Sequence, residues 1–185
     1  MKAVEVKIVS MSPYSQSRLH NSPKLEKESH EAYEQRTWRE KCNFDQDGIV
    51  YIPSMAFKQA LDTVAKRLSE KTTGKGTLTK HFVGGVLCAE NASIGYKKDE
   101  APPITILANS DGVRGSGKRV TRTFPQWPFW ETTVAFWIMD ETVTEKAFER
   151  HLAEAGKFIG IGRFRPEKGG LNGRFKPVSY RWHTV

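Results

Sequence analysis

One short stretch near the end of the 185-residue chain combines the residue types that bind phosphate. This stretch, called the glycine-rich loop below, comprises residues 160–174 and has the sequence GIGRFRPEKGGLNGR. Because glycine adopts backbone angles that a Cβ forbids, such a loop can turn successive N–H groups outward around an anion. Arginine adds forked donors that match phosphate oxygens. The pattern predicts a phosphate-binding loop, and a surface turn whose glycines only reverse the chain is the alternative.

The loop residues predicted to contact nucleic acid are glycines, cations and one aromatic residue: Gly160, Gly162, Arg163, Phe164, Arg165, Lys168, Gly169, Gly170 and Arg174. Phe164 and Phe175, the residue directly after the loop, offer flat rings on which bases can stack.

A second basic segment extends from residue 112 to 129 and contains no acidic residue. Its predicted nucleic-acid-binding residues are four cations: Arg114, Lys118, Arg119 and Arg122. The whole chain has a formal net charge of +8, and the excess is concentrated in these two glycine-containing loops. Charge placed in this way indicates a polyanionic partner. Trp127 and Phe129 of the same segment either close the core or, if exposed, stack on bases.

Three residues of the early part of the chain could act as general acids or bases: His20, His30 and Asp45. None has a second catalytic partner at a recognisable spacing, and charge runs in loops are usually solvated surface. Cys42 and Cys88 lack metal-ligand spacing, so no metal or cofactor is expected. The sequence GKG at 74–76 lacks the context of a phosphate loop, which excludes nucleotide hydrolysis.

Composition indicates a soluble globular protein, with 38% hydrophobic and 27% charged residues. No apolar run is long enough to span a bilayer, and the first residues lack the apolar block of a signal peptide. Two distant cysteines suit a reducing compartment. We therefore expect a cytoplasmic protein without membrane contact.

Hydrophobic periodicity predicts the elements that position these residues. Alternation predicts strands at 2–10, 49–52, 85–89, 104–109, 131–139 and 174–182. An apolar stripe from Phe57 to Leu68 predicts a helix that begins at Pro53-Ser54 and is ended by residues 72–77. A second helix should follow Thr142 and Glu145, which are spaced as in a capping box, and end at Gly156. A short charged helix is expected within 31–41.

Two insertions, at about 11–48 and 90–128, separate elements that otherwise follow the order βαββαβ. This order predicts an α+β, ferredoxin-like fold in which an antiparallel sheet carries two helices on one face. We expect one domain over residues 1–185.

A ferredoxin-like core with a basic, glycine-rich loop between the second helix and the last strand resembles the RAMP superfamily of CRISPR-associated proteins. The two insertions are similar to those of the superfamily's backbone subunits, which polymerise along guide RNA and interrupt base pairing with a protruding thumb. The resemblance implies that residues 114–122 occupy the thumb. The chain is shorter than most such subunits and shows no match to the catalytic residues of nuclease members. Small phage and prophage proteins have a similar general appearance.

The resulting hypothesis is a non-catalytic, largely sequence-independent single-strand binding protein that favours RNA over DNA. We expect it to assemble along the strand as a homo-oligomer or as a subunit of a ribonucleoprotein. One alternative is a RAMP-type endoribonuclease that uses His20 or His30. Another is a phage-encoded binder of single-stranded DNA, or an inhibitor or decoy that binds a CRISPR complex through protein contacts.

Overall fold

A computed structural model describes residues 1–113, 115 and 117–184 of the chain. The strands are β1 Lys2–Ser10, β2 Tyr14–Ser15, β3 Ile49–Ile52, β4 Val86–Cys88, β5 Ala92–Lys97, β6 Pro103–Asn109, β7 Arg119–Trp127, β8 Glu131–Ile138 and β9 Phe175–Thr184. The α-helices are α1 His30–Thr37, α2 Ser54–Leu68, α3 Thr79–Gly85 and α4 Glu145–Glu154.

The main sheet has four strands in the order β4-β8-β1-β9, all antiparallel to their neighbours. Helix α2 lies between β1 and β4 in the chain, and α4 lies between β8 and β9. This is the ferredoxin-like arrangement, so the predicted fold class is confirmed. The central strand β1 pairs with β8 on one side, beginning at Lys2↔Ile138, and with β9 on the other, beginning at Lys2↔Thr184.

Both core helices pack on the same face of the main sheet. The alternation of β1 and β8 sends Val4, Val6 and Phe136 to that face, where all three are buried. The ring of Phe136 packs edge-on against Phe57 of α2 and Phe148 of α4, with ring centroids 6.5 Å and 5.2 Å apart. The apolar stripe read from the sequence therefore faces the sheet, and hydrophobic burial fixes the helices there.

The insertions build two smaller sheets beside the main one. Strands β6 and β7 form an antiparallel hairpin, paired from Pro103↔Pro125 to Asn109↔Arg119, and β2 adds to its other edge. Strand β3 pairs with β5 in a separate two-stranded sheet. Helix α1 and a following 3₁₀ turn at Trp38–Lys41 fill the first insertion. The sequence indicated β6 and α1 but not β2, β5 or α3.

Three expected helix boundaries were wrong. Helix α2 ends at Leu68, before the expected stop at residues 72–77. The cap of α4 is Thr144, whose hydroxyl accepts from the Ala147 N–H at 3.2 Å, whereas the Thr142 N–H binds Asp140. The helix also continues past Gly156 through a π-helical turn at Ala155–Ile159. Glycine is required at 156 by packing, because a Cβ there would lie 2.1 Å from the Phe175 carbonyl oxygen.

None of the helices in the described part of the chain combines the length and apolar character needed to cross a membrane.

Candidate nucleic-acid interface

The glycine-rich loop folds tightly on itself and on β2. The N–H of Arg163 donates to Ser15 O at 2.8 Å, that of Ile161 to Gly173 O at 3.0 Å, and that of Asn172 to Phe164 O at 3.0 Å. Further amides that donate to protein carbonyls are those of Gly160, Lys168, Gly169, Gly170 and Gly173. The sequence had suggested that these N–H groups turn outward around an anion. They instead donate to carbonyl groups of the protein.

Packing explains why glycine occupies the tightest positions of the loop. A Cβ at Gly162, where φ is +76°, would lie 2.5 Å from the carbonyl oxygen of Ser15. A Cβ at Gly170 would lie 1.8 Å from the carbonyl oxygen of Phe164. Because no side chain fits at these distances, the glycines hold the loop in one shape against β2.

Some amides of the loop keep their donors free, and three of them are close neighbours. In the described chain, the N–H groups of Gly162, Phe164 and Arg165 have no hydrogen-bond acceptor. They follow one another closely along the backbone, so they can still contribute to anion binding, together with the side chains around them.

Phe164 projects from this loop with its ring 53% exposed. Its backbone is left-handed, with φ +58°, a conformation that costs about 1 kcal/mol or more in a residue with a side chain. The internal hydrogen bonds of the loop hold it there. A large exposed ring on a strained, fixed backbone is suited to contact with a ligand rather than to stability.

A cavity of about 560 Å³ opens between the glycine-rich loop, the start of α2 and the first insertion. The loop contributes Gly162, Arg163 and Arg165 to its wall, and the first insertion contributes Arg18 and Asn43. Along α2, one side of the first three turns lines the cavity: Met55, Ala56, Gln59, Ala60 and Thr63. The sequence did not single out Arg18 or α2 as part of a site, because only the tertiary fold brings them to the loop.

Arg163 is the cation of this cavity with the most unusual surroundings. Its guanidinium lies over the ring of Phe124, with 3.7 Å from Cζ to the ring centroid. Burial lowers the pKa of Arg163 from its ordinary value. Among the described residues the guanidinium has no carboxylate partner and no hydrogen-bond acceptor. A half-buried cation in this state would be stabilised by an incoming anion.

The other cations of the loop already make polar contacts within the protein. Arg165 donates to Glu167 at 2.9 Å, and Lys168 lies 3.7 Å from the same carboxylate. Arg174 donates from Nε to the Lys157 carbonyl at 3.0 Å. These contacts orient the side chains while leaving further N–H donors on each.

Phe124 joins the glycine-rich loop to the hairpin of β6 and β7. Arg163 covers its ring, and Lys41 Nζ lies 4.4 Å from the centroid of the same ring. The structure therefore brings the two predicted basic segments together at the base of the hairpin.

Within the hairpin, the predicted cations differ in how many hydrogen bonds and ion pairs their side chains make with the protein. Arg122 binds Glu34 at 3.4 Å and the Ser110 carbonyl at 3.1 Å. Arg119 donates to the carbonyl of Leu107 at 3.0 Å, and Lys118 is exposed. Arg114 lies outside the described residues.

Glu34 ties α1 to the hairpin from a buried position. Its carboxylate accepts from Lys41 Nζ and, at 2.7 Å, from the Thr123 N–H. Burial opposes the ionisation of Glu34, but these hydrogen bonds and the nearby Arg122 together lower its pKa. Burial also lowers the pKa of Lys41. The ion pair thus ties α1 to the hairpin, and neither of its residues lines the cavity.

Two aromatic residues proposed for stacking are buried. Trp127 is 1% exposed and stacks on Tyr14 with a centroid distance of 6.0 Å, and Phe175 is fully buried between α2 and the main sheet. Both rings are therefore part of the hydrophobic core and are not available to a base. Phe129, by contrast, is 80% exposed.

The three candidate acid–base residues do not converge. His20 contacts Ser22 at 3.0 Å and stacks on Tyr33, while His30 is exposed at the first residue of α1. Asp45 accepts from two backbone N–H groups of its own turn. None of the three lines the cavity. Across the described residues there is also no cluster of three His, Cys, Asp or Glu side chains that could hold a metal ion.

Comparison with known proteins shows the fold and no sequence relationship. No protein-family model matches the chain, and no curated protein matches it in sequence. In structure it is similar to a chain in the cryo-EM structure of the Type III-B Cmr-beta bound to cognate target RNA, with a TM-score of 0.61 and 16% identity. That match covers 98% of this chain and 60% of the other, so this chain spans well under two thirds of its neighbour.

Two further structural matches have scores too low to support an argument. Cmr6 from Pyrococcus furiosus gives a TM-score of 0.47 at 17% identity, covering 95% of this chain and 98% of that one. A chain of a CRISPR RNA-guided surveillance complex gives 0.40 at 12% identity, covering 95% and 66%. The similarity to the chain of the Cmr-beta structure shows a shared fold.

Proposed function

We propose that this chain is a non-catalytic, single-strand binding protein of the RAMP type, which favours RNA and acts within a CRISPR-like ribonucleoprotein. Its strand follows the glycine-rich loop, passes the cavity and continues along the base of the β6–β7 hairpin. Copies or related subunits line up along that strand.

The observation that carries this proposal is the state of Arg163. It is half-buried, it lies on an aromatic ring, and it has no anionic partner within the described residues. Most arginines in a folded protein that lose water are paired with a carboxylate. A phosphate group of a nucleic acid supplies the missing charge, and its geometry matches the guanidinium fork.

The surroundings of Arg163 suit a single strand. Exposed Phe164 lies beside it in the chain, and cavity-lining Arg18 adds a second cation. Flexible strands bind where a positive groove follows the phosphates and where rings accept unstacked bases. The likeness to a chain of an RNA-bound Cmr-beta structure supports RNA rather than DNA as the natural strand.

The open face of the main sheet is a poorer candidate for the strand. Two of its cations are neutralised, Lys7 by Glu131 at 3.4 Å and Arg181 by Glu5 at 3.4 Å. An exposed ring is present there, since Trp137 is 47% exposed, but these two cations are already paired with acids. Phosphate binding needs uncompensated cations, so we assign the strand to the cavity side.

The test is fluorescence anisotropy of the nucleic-acid-free protein with single-stranded RNA, single-stranded DNA and duplex of matched length. We expect the tightest binding for single-stranded RNA, and particles whose mass rises with strand length in light scattering. Arg163→Gln should weaken RNA binding about tenfold, a loss typical of a charged hydrogen bond.

Arg181→Gln is the matched control, because it removes the same charge from the open sheet face and should leave RNA affinity unchanged. Equal affinity of the Arg163→Gln variant and the parent chain would contradict the assignment of the strand. Binding to none of the three nucleic acids would reject the function itself and leave a protein-directed inhibitor as the hypothesis to pursue.

A further inference from the structure

The cavity beside the glycine-rich loop contains more hydrogen-bonding capacity than phosphate binding requires. In the described part of the chain, four of the polar side chains that line it have no hydrogen-bond partner: Ser17, Asn43, Gln59 and Thr63. Two are carboxamides, which both donate and accept, and two are hydroxyls. Phosphate oxygens only accept, so these groups suit a ligand that presents donors as well as acceptors.

Apolar groups line the same cavity. Met55 and Ala56 of α2 contribute, as does Ile159, which precedes the loop and is 3% exposed. Small-molecule sites generally have this composition, an apolar lining with a few polar groups that fix orientation, in volumes of roughly 300–1,000 Å³. At about 560 Å³ the cavity falls within that range.

Arg163 and two of the neutral polar groups lie on different segments of the cavity wall. Arg163 comes from the glycine-rich loop, whereas Gln59 and Thr63 come from consecutive turns of one side of α2. A ligand with an anionic end and a flat, apolar-faced, polar-edged end would satisfy both sets. A nucleotide has this chemistry, with phosphate at one end and a base at the other.

We propose that this cavity admits one nucleobase of the bound strand and recognises its edge. The inference rests on the proposed function and refines it, because a strand held at its phosphates without regard to sequence would then be read at one position. Polar groups that a bound base covers discriminate between bases, since a wrong base takes them from water and leaves them unpaired.

The test uses the four nucleoside 5′-monophosphates, with ribose 5-phosphate as a ligand that lacks a base, titrated calorimetrically into the nucleic-acid-free protein. We expect at least one nucleotide to bind tenfold or more tightly than ribose 5-phosphate, and the four nucleotides to differ from one another. Equal binding of all five ligands would overturn the proposal.

Two variants separate base recognition from phosphate binding. Gln59→Trp places an indole in the cavity from an exposed helix position and should abolish the preference over ribose 5-phosphate. The matched control is Lys66→Trp, an exposed position of the same helix outside the cavity lining, which should leave the preference intact. Asn43→Ala should reduce the differences among the four nucleotides while leaving ribose 5-phosphate binding unchanged.

Failure of this inference is distinguishable from failure of the proposed function. If single-stranded RNA binds the parent chain but the nucleotides bind no better than ribose 5-phosphate, the cavity does not read a base and the strand-binding function stands. If neither RNA nor any nucleotide binds, both are rejected. A nucleotide preference that survives in Gln59→Trp places base recognition elsewhere and also overturns the inference.

Discussion

Arg163 and Phe164 are adjacent in the chain, and the structure gives them different tasks at the same site. Arg163 is half-buried on the ring of Phe124 and lacks an anionic partner among the described residues. Phe164 faces solvent from a backbone conformation that a side chain disfavours. One residue offers charge and the other offers an aromatic surface, which together match a phosphate and a base.

Phe164→Gly should separate binding from stability. Glycine accepts the left-handed backbone without strain, so the melting temperature should stay equal or rise. Loss of one stacked base should weaken single-stranded RNA binding by about 1–3 kcal/mol. Thermal denaturation and anisotropy on the same sample measure the two effects.

The control for this variant is Phe129→Ala, which removes an exposed ring outside the glycine-rich loop. It should leave RNA affinity unchanged. Undiminished affinity in Phe164→Gly would show that the exposed ring does not contact the strand.

At the scale of elements, the first insertion is held to the β6–β7 hairpin by polar contacts as well as by packing. Glu34 of α1 accepts from Lys41 and from the Thr123 N–H of β7, and Lys41 also donates to the Thr123 carbonyl at 2.7 Å. All three side chains are buried. This buried ion pair therefore helps to fix the position of α1 against the hairpin.

Glu34→Gln should destabilise the protein by about 3 kcal/mol, because it leaves the buried Lys41 ammonium without a counter-charge. Urea denaturation measures the change in the free energy of unfolding. Glu31→Gln, an exposed position in the first turn of the same helix, is the matched control and should change stability by less than about 0.5 kcal/mol. Equal stability of the two variants would show that the buried pair does not hold the insertion in place.

His151 gives the helical layer a dependence on pH. The imidazole is fully buried on α4, stacks on Phe82 of α3 at 4.2 Å, and donates from Nδ1 to the Ala147 carbonyl at 2.7 Å. Burial lowers the pKa of His151, although Ala147 and Glu70 partly oppose the shift. Nε2 is buried without a partner in the described chain.

Stability should therefore fall as the pH decreases from 7 to 5, because the unfolded histidine takes up a proton that the folded one resists. The slope from this residue is at most that of one proton, about 1.4 kcal/mol per pH unit. His151→Phe keeps the ring stack and removes the titration, so urea denaturation should show a shallower pH dependence. His183→Phe, at an exposed position, should retain the parent slope, and an unchanged slope in His151→Phe would contradict this role.

At the scale of the whole molecule, charge is sorted between two surfaces. The chain has 29 basic and 21 acidic residues, and on the open face of the main sheet Lys7 and Arg181 are each paired with an acid. On the cavity side, Arg163 has no acidic partner among the described residues. Arg18 donates to the Cys42 carbonyl at 3.4 Å and lies over the ring of Phe44, again without an acidic partner in the described chain. The cavity side therefore has two unpaired cations that suit a polyanion.

The salt dependence of RNA binding should show this asymmetry. The double variant Arg18→Gln/Arg163→Gln should reduce the slope of log affinity against log salt by about 1.4, since each lost phosphate contact on a single strand contributes about 0.7. The variant Lys7→Gln/Arg181→Gln loses the same net charge from the sheet face and should keep the parent slope. Equal slopes in the two double variants would mean that net charge, and not the cavity, determines binding.

The sequence by itself determined the core of the fold, because its signals are local. Alternation in β1 and β8 and the stripe of α2 depend only on which neighbouring positions are apolar, and hydrophobic burial then selects one face. The order of these elements was sufficient to predict the ferredoxin-like sheet. It was also sufficient to place the glycine-rich loop between α4 and β9.

Only the tertiary structure decided which residues of the two basic segments remain available to a ligand. Arg122 is engaged by Glu34, 88 positions earlier in the chain. Trp127 and Phe175 are buried, and most amides of the loop donate to the protein itself. Arg18 joins the cavity although 144 positions separate it from Gly162. Burial, ion pairs and hydrogen bonds of this kind arise from contacts between segments far apart in sequence. A local pattern of residue types does not determine which of these segments will be in contact.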